Sequence, residues 1–212
     1  MTTILAMVAG IFFLVSPAGT SFWVKGMGFH CSPDYGSLGK TLEEKSKIYD
    51  PVKKLGPGLG PSFSAGYDFS DTWGIRLDAF SFTGVADYHR PITKVLIKTS
   101  TSPILLSAVY RFPSQSGLHS YLGAGMGVFR SELTAHAVVS GHTYEDYQTD
   151  SPLGFQVLGG TEFRLENGLF FSGEVRYLSA KTKYPGFRCI PDCSTDWSGV
   201  FVSIGVGYRF GL

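Results

Sequence analysis

The stretch Trp197–Leu212, WSGVFVSIGVGYRFGL, constrains the fold more than any other part of the chain. Taken at every second residue, Val200, Val202, Ile204, Val206, Tyr208 and Phe210 make one wholly apolar side. Phe201, Ser203, Gly205, Gly207 and Arg209 make the other, which is mostly small or polar. Strict alternation predicts a strand, because successive side chains point to opposite faces. A soluble strand would bury its apolar side under a covering layer. Beyond the N-terminus, the sequence offers no amphipathic helix long enough to supply one. A strand whose apolar face meets lipid and whose small, polar face lines a narrow barrel meets both conditions.

The same alternation recurs upstream and predicts eight antiparallel strands: an all-β, up-and-down transmembrane barrel. The strands are expected at about 21–30, 59–69, 73–83, 103–112, 119–130, 153–164, 169–179 and in the terminal stretch. Leu59, Phe63, Trp73, Leu77, Ile104, Leu106, Leu122, Met126, Phe155, Phe171 and Tyr177 are among the side chains expected to face lipid. Pro61 cannot donate to a ladder, so full pairing of the second strand is expected only beyond it. Short polar segments follow Tyr67-Asp68-Phe69, Tyr110-Arg111-Phe112 and Glu162-Phe163-Arg164. The last contains Asn167-Gly168, a hairpin turn signal. Short turns at one end and long loops at the other are the asymmetry of outer-membrane barrels.

This parity sends Lys25, Asp68, Arg76, Asp78, Arg111, Glu162, Arg164, Glu174, Arg176 and Arg209 into the lumen. No Asp, Glu, Lys or Arg takes an outward position at a strand centre. A cationic side chain facing lipid at the midplane would cost about 2–4 kcal/mol. A lumen of about eight strands is just wide enough for side chains to fill. Both signs of charge at similar depth are therefore expected to pair and block water, mostly in the turn-side half. Phe80, Phe82, Leu105, Phe129 and Phe201 share the inward parity toward the loop side. They predict either a partly apolar cavity for a small hydrophobic molecule or aromatic packing that closes the barrel.

Residues 1–18 carry an apolar core from Ile4 to Val15, followed by Ser16-Pro17-Ala18, and read as a secretory signal peptide cut after Ala18. Met1-Thr2-Thr3 lacks the usual basic residue. The barrel domain is expected over 19–212. Charged residues make up only 17% of the chain and its formal net charge is +1, so nothing points to nucleic acid.

Ser203-Ile204-Gly205-Val206-Gly207-Tyr208-Arg209-Phe210 resembles the C-terminal assembly signal of bacterial outer-membrane barrels, with Ser203, Gly205, Tyr208 and Phe210 at its defining positions. Gly211-Leu212 departs from the usual aromatic end. Leu105-Leu106-Ser107-Ala108-Val109-Tyr110-Arg111-Phe112, Tyr121-Leu122-Gly123-Ala124-Gly125-Met126-Gly127 and Gly173-Glu174-Val175-Arg176-Tyr177 resemble the small outer-membrane barrels of the OmpA, OmpX and OmpW type, a porin-like family. The resemblance covers nearly all of the expected mature chain. It implies residence in the outer membrane of a Gram-negative bacterium and recognition by the barrel-assembly machinery. It also implies contact with outer-membrane lipid and lipopolysaccharide; no cofactor is expected, and the chain is expected to be a monomer. Two functions follow: a narrow OmpW-like conduit for small or hydrophobic compounds, or a structural protein whose long loops bind lipopolysaccharide or a host ligand.

The first loop, about 31–58, holds Lys40, Lys45, Lys47, Lys53 and Lys54, and Thr41-Leu42-Glu43-Glu44 resembles a helix capping box. The second, about 84–102, adds Arg90, Lys94 and Lys98. Basic loops would be drawn to an anionic lipid surface. The third holds His136, His142, Glu145 and Asp146, whose spacing matches no metal motif, so no metal site is assigned. His119-Ser120 are strand neighbours that must point to opposite faces, so no catalytic set is assigned and an enzyme is not expected. In the final loop, Pro191-Asp192 can turn Cys189 toward Cys193 and permit a disulfide. Cys31, across the barrel seam, competes for either.

Overall fold

The computed structural model describes residues 20–33, 35, 38, 40, 44, 50–53, 58–90, 93–114, 117–139, 142–184 and 193–211. The strands are β1 (Ser21–Pro33), β2 (Asp50–Lys53), β3 (Gly58–Asp68), β4 (Trp73–Phe80), β5 (Phe82–Arg90), β6 (Thr93–Arg111), β7 (Leu118–Val139), β8 (His142–Asp150), β9 (Leu153–Arg164), β10 (Leu169–Tyr184), β11 (Cys193–Asp196) and β12 (Gly199–Gly211). Eight of them, β1, β3, β4, β6, β7, β9, β10 and β12, close an antiparallel ring. β1 seals it against β12 from Ser21↔Gly211 to Pro33↔Gly199. Closure leaves no unpaired backbone edge in the hydrocarbon, the condition a sheet must meet to span a bilayer.

Burial follows the predicted parity. β4 alternates strictly, Trp73, Ile75 and Leu77 exposed and Gly74, Arg76 and Asp78 buried. In β12, Ile204 is 74% exposed and Ser203 only 2%. Lys25, on the least patterned strand, is buried. The β3–β4 ladder begins at Ser62, one residue past Pro61. The β9–β10 turn places Gly168 at φ +86°, a conformation open to glycine, while the Asn167 Oδ1 accepts from the Leu169 N–H at 3.0 Å. Around the turn-side rim, Trp73 packs on Tyr110 at 5.1 Å and Tyr208 on Phe210 at 4.9 Å, an aromatic belt at the membrane boundary.

The expected second and third loops are corrected: both are β-hairpins. β5 pairs with β6 from Phe82↔Thr101 to Arg90↔Thr93, and β7 with β8 from Ser131↔Asp150 to Val139↔His142. Arg90, Lys94 and Lys98 therefore stand on strands, as do His136, His142, Glu145 and Asp146. The expected third strand breaks at Ser81, where the chain leaves the barrel wall for the β5–β6 hairpin. β6 and β7 are 19 and 22 residues long, while a tilted strand needs about 9–11 residues to cross a bilayer. The surplus raises a four-stranded wall, β5–β6–β7–β8, above the membrane on the loop side.

Leu38, Lys40 and Glu44 are helical. Thr41-Leu42-Glu43 of the capping box, Lys45, Lys47 and Lys54 lie outside the described residues, as does the side chain of Lys53. So do the signal segment, Cys189 and the side chain of Cys193, and with them the expected disulfide. Cys31 is buried, its thiol donating to the Gly58 carbonyl at 3.5 Å.

Candidate functional site

The lumen is packed in layers, and glycines in the wall make room for its largest rings. A Cβ on Gly66 would come within 2.2 Å of the Trp23 indole, and one on Gly160 within 2.8 Å of the Tyr121 phenol ring. Each glycine supplies the space its neighbour's ring needs.

The middle layer is an ion network reaching across the barrel. Glu174 on β10 is its hub. Its carboxylate accepts from Lys25 Nζ at 3.2 Å, Tyr121 OH at 2.6 Å, Arg76 Nη2 at 3.0 Å and Arg176 Nε at 3.0 Å. Asp78 is the second acceptor. It takes Arg76 Nε at 2.7 Å, Gln156 Nε2 at 2.8 Å and the Ser64 hydroxyl. Gln156 also donates to Ser107 Oγ at 2.8 Å, and Arg76 Nη2 to Ser64 Oγ at 3.1 Å. Lys25, Arg76 and Arg176 thus share Asp78 and Glu174, and every one of these side chains is buried. Burying charge is tolerable only when it is paired and hydrogen-bonded, and this layer comes close to that condition.

The lower layer lies nearer the short turns. Arg111 Nε is 3.1 Å from Asp68 Oδ1, and its Nη1 donates to Glu162 Oε2 at 3.1 Å. The same Glu162 oxygen accepts from Arg164 Nη2 at 3.2 Å and Arg209 Nη2 at 3.4 Å, and Arg209 Nη1 also pairs with Asp68. Trp23 Nε1 donates to Asp68 Oδ1 at 3.3 Å. The ten charged residues expected in the lumen are therefore distributed over two levels, with half of them in the middle of the barrel rather than toward its turn side.

The upper layer is aromatic. Phe80, Phe82, Leu105, Phe129 and Phe201 are brought together and joined by Phe29, Tyr35 and Trp197. Phe82 contacts Trp197 and Phe201 at ring-centroid distances of 5.1 and 5.3 Å, and Phe29 contacts Phe80 at 5.6 Å. At this level the rings are buried against one another in one cluster. Arg176 lies 5.2 Å from the Phe80 ring and joins the two chemistries. Above the rings a polar collar runs from Trp197 Nε1 to Thr182 Oγ1 at 3.0 Å, then Ser131 Oγ at 3.2 Å and Thr101 Oγ1 at 3.0 Å. Leu38, Ala86, Ile97, Leu133, Ala135 and Tyr184 pack over it. Tyr35, in the segment above β1, has its phenol pushed up to about 12 by burial, with the nearby Cys31 adding to the shift.

Sequence reasoning missed Trp23, Phe29, Tyr121, Gln156 and Trp197. The first four lie at the inward parity of Lys25, Phe129 and Glu162, so the signal was present in the same alternation. Trp197 lies in the break between β11 and β12, where parity gives no guidance. His119 and Ser120 are both half-buried at the lower end of β7. His136 faces Glu145 across the β7–β8 ladder, its Nε2 3.5 Å from Oε1, in a half-buried position. Among the described residues, no three His, Cys, Asp or Glu side chains are grouped to hold a metal ion.

A family model described as "Outer membrane protein beta-barrel domain" matches residues 5–210. Among solved structures, the chain is similar to Neisserial surface protein A at 21% identity, covering 91% of this chain and 99% of that one, with a TM-score of 0.55. It is similar to the outer membrane protein OprG from Pseudomonas aeruginosa at 19% identity, covering 93% and 99%, with a TM-score of 0.58. No curated protein matches the chain.

Proposed function

We propose, on the premise that this chain belongs to the outer membrane β-barrel domain family, that its barrel is a closed anchor and that its work is done at the cell surface. The carrying observation is the overshoot of β6 and β7, which lifts the β5–β8 wall above a lumen occupied from its charged middle to its aromatic top. A chain selected only to span the membrane has no need of strands twice the spanning length. Lys98 and Arg130 are exposed on the outer face of the wall, and Lys181 and Lys183 are exposed on the upper end of β10. Arg130 and Lys181 side chains are 71% and 76% exposed, each loosely paired, with Glu132 at 3.7 Å and Asp196 at 3.8 Å. Such a basic fringe suits the phosphates of lipopolysaccharide, attraction that falls off within a Debye length. Assembly by the barrel-assembly machinery and a monomeric state belong to the same proposal. Tyr208 and Phe210 are presented outward, where that machinery could read them.

The competing reading is the narrow conduit for small or hydrophobic compounds. Its support is the apolar wall formed by Phe80, Phe82 and Phe201 at the loop-side entrance. Planar-bilayer conductance together with uptake of small hydrophobic probes decides between them. The surface reading expects no discrete conductance and no uptake above a vesicle control, with binding to lipopolysaccharide-coated surfaces reduced at least fivefold when residues 134–147 are replaced by a short turn. Steady conductance or saturable uptake in the unaltered protein, with surface binding indifferent to that replacement, favours the conduit.

A further inference from the structure

We infer that the turn-side mouth of the barrel is a binding site for a small oxyanion, a carboxylate or a phosphate, held by Arg164 and Arg209. A half-enclosed cavity of about 410 Å³ opens there, with Arg111, Arg164 and Arg209 in its wall. It is distinct from the outer wall and the aromatic plug at the other end, and it faces the periplasm because the short turns do.

Donors exceed acceptors in this layer. Three guanidinium groups share two carboxylates, and both carboxylates are already heavily used. Glu162 Oε2 alone meets Arg111, Arg164 and Arg209. Asp68 meets Arg111 and Arg209 while also accepting from Ser21 Oγ and Trp23 Nε1, each at 3.3 Å. The Nε atoms of Arg164 and Arg209 are buried with no hydrogen-bond partner. A buried donor left unmade carries its full desolvation cost. The one further carboxylate at the cavity, Asp71, is exposed on the β3–β4 turn. The buried part of the layer therefore holds one more guanidinium than carboxylate, and only the exposed turn supplies the balancing charge. A guanidinium fork matches a carboxylate or phosphate in two parallel hydrogen bonds, which makes an oxyanion the complementary occupant. The hydroxyl of Ser70 and the imidazole of His119 line the same space beside the arginines.

The ligand has two sources with one chemistry: a free periplasmic solute, or the headgroup phosphate of an inner-leaflet lipid. The test uses isotope-labelled full-length mature protein in uncharged sugar-detergent micelles, following the arginine Nε–Hε resonances. Inorganic phosphate, succinate and a short-chain phosphatidylglycerol are titrated separately, with sodium chloride at matched ionic strength as the reference. Saturable shifts of the Arg164 and Arg209 signals are expected, with Arg176 unmoved. In Arg164→Gln the apparent affinity should fall at least fivefold, and in Ser151→Ala, at an exposed loop-side position, it should not change. Saturation by phosphate or succinate assigns the site to a solute, and saturation by the lipid alone assigns it to a headgroup. Folding of each variant is verified by heat-dependent gel migration. Should Arg164→Gln fail to fold, His119→Gln replaces it, with a weaker loss of at least twofold expected. Shifts no larger than those in chloride, or an affinity unaffected by the folded variant, overturn the inference.

Discussion

The middle and upper lumen occupy neighbouring cross-sections of one barrel, yet they are filled by opposite means. In the middle, Lys25, Arg76 and Arg176 are tied to Asp78 and Glu174 by directional bonds. At the top, Phe29, Phe80, Phe82, Phe201 and Trp197 meet ring against ring. An aromatic layer loses stability roughly in proportion to what is cut away, because its contacts are many and individually small. An ion layer behaves differently. Deleting one hub strands every partner that relied on it, and each stranded charge stays buried. The comparison teaches that a filled lumen can be robust at one level and brittle at the next, although both look equally dense.

The largest expected effect tests that brittleness. Among the described residues, Glu174→Ala leaves Lys25, Arg76 and Arg176 with Asp78 as the one carboxylate at that level. Breaking a buried pair by removing one partner costs about 3–5 kcal/mol, and Glu174 serves several partners, so a loss at or above the top of that range is expected. Urea unfolding in micelles, followed by heat-dependent gel migration, measures it. A loss below about 1 kcal/mol would show that water enters and solvates the layer, which would then be no more brittle than the rings above it.

Phe82→Ala is the matching cut in the upper layer. Phe82 is only 2% exposed, and removing a core phenyl group costs about 3–5 kcal/mol. The lower end of that range is expected because the neighbouring rings can lean into the gap. Conductance in planar bilayers should stay at the baseline of the unaltered protein, since the Arg76–Glu174 layer still crosses the lumen beneath. A stable open current in this variant would mean that the aromatic layer alone closes the barrel.

The collar between the rings and the outer cap offers a smaller cut. Thr182→Val keeps the side chain's shape and removes the oxygen that accepts from Trp197 Nε1 and donates to Ser131 Oγ. The buried indole N–H then has no acceptor, at a cost of about 1–3 kcal/mol. Tryptophan fluorescence and the unfolding midpoint together should report it. An unchanged midpoint would show that Trp197 is held by ring contacts with Tyr35 and Phe82 alone.

How far these layers were legible in the sequence depends on which side of the membrane boundary a residue lies. Within the bilayer, apolar side chains point out and charged ones in, so parity carried Lys25, Arg76 and Glu174 to the lumen without a structure. Above the boundary the same period continues with its polarity reversed. On β6, Ile97 is buried while Lys98 is exposed, and on β7 Leu133 and Ala135 are buried while Thr134 is exposed. A search for apolar-out alternation ends at that reversal, which is why the β5–β8 wall read as loops. β8 adds a second difficulty, since His142–Asp150 is largely exposed on both faces and has no alternation to find. The two charge levels were illegible for another reason. Parity tells in from out, but depth depends on strand tilt and stagger, which join Arg76 to Glu174 and Asp68 to Arg209.

The smallest expected effect concerns Arg164, and it sharpens the comparison by lying just outside it. Arg164 and Arg176 are the same residue type on adjacent strands, each two residues from an inward glutamate. Arg176 has a side chain only 3% exposed and is enclosed by Glu174, Asp78 and the Phe80 ring. Arg164 has a side chain 24% exposed at the open mouth, where it pairs with Glu162. Water can replace what Arg164 gives to Glu162, and Arg111 and Arg209 remain on that carboxylate. Arg164→Gln is therefore expected to cost about 1 kcal/mol, because the buried Glu162 keeps two other guanidinium partners. Arg176→Gln strips a cation from the buried network and is expected to cost several times as much. Paired urea unfolding curves of the two variants make the comparison within one experiment. Equal losses would mean that burial does not separate the two charged layers, and that the mouth is as closed to water as the middle.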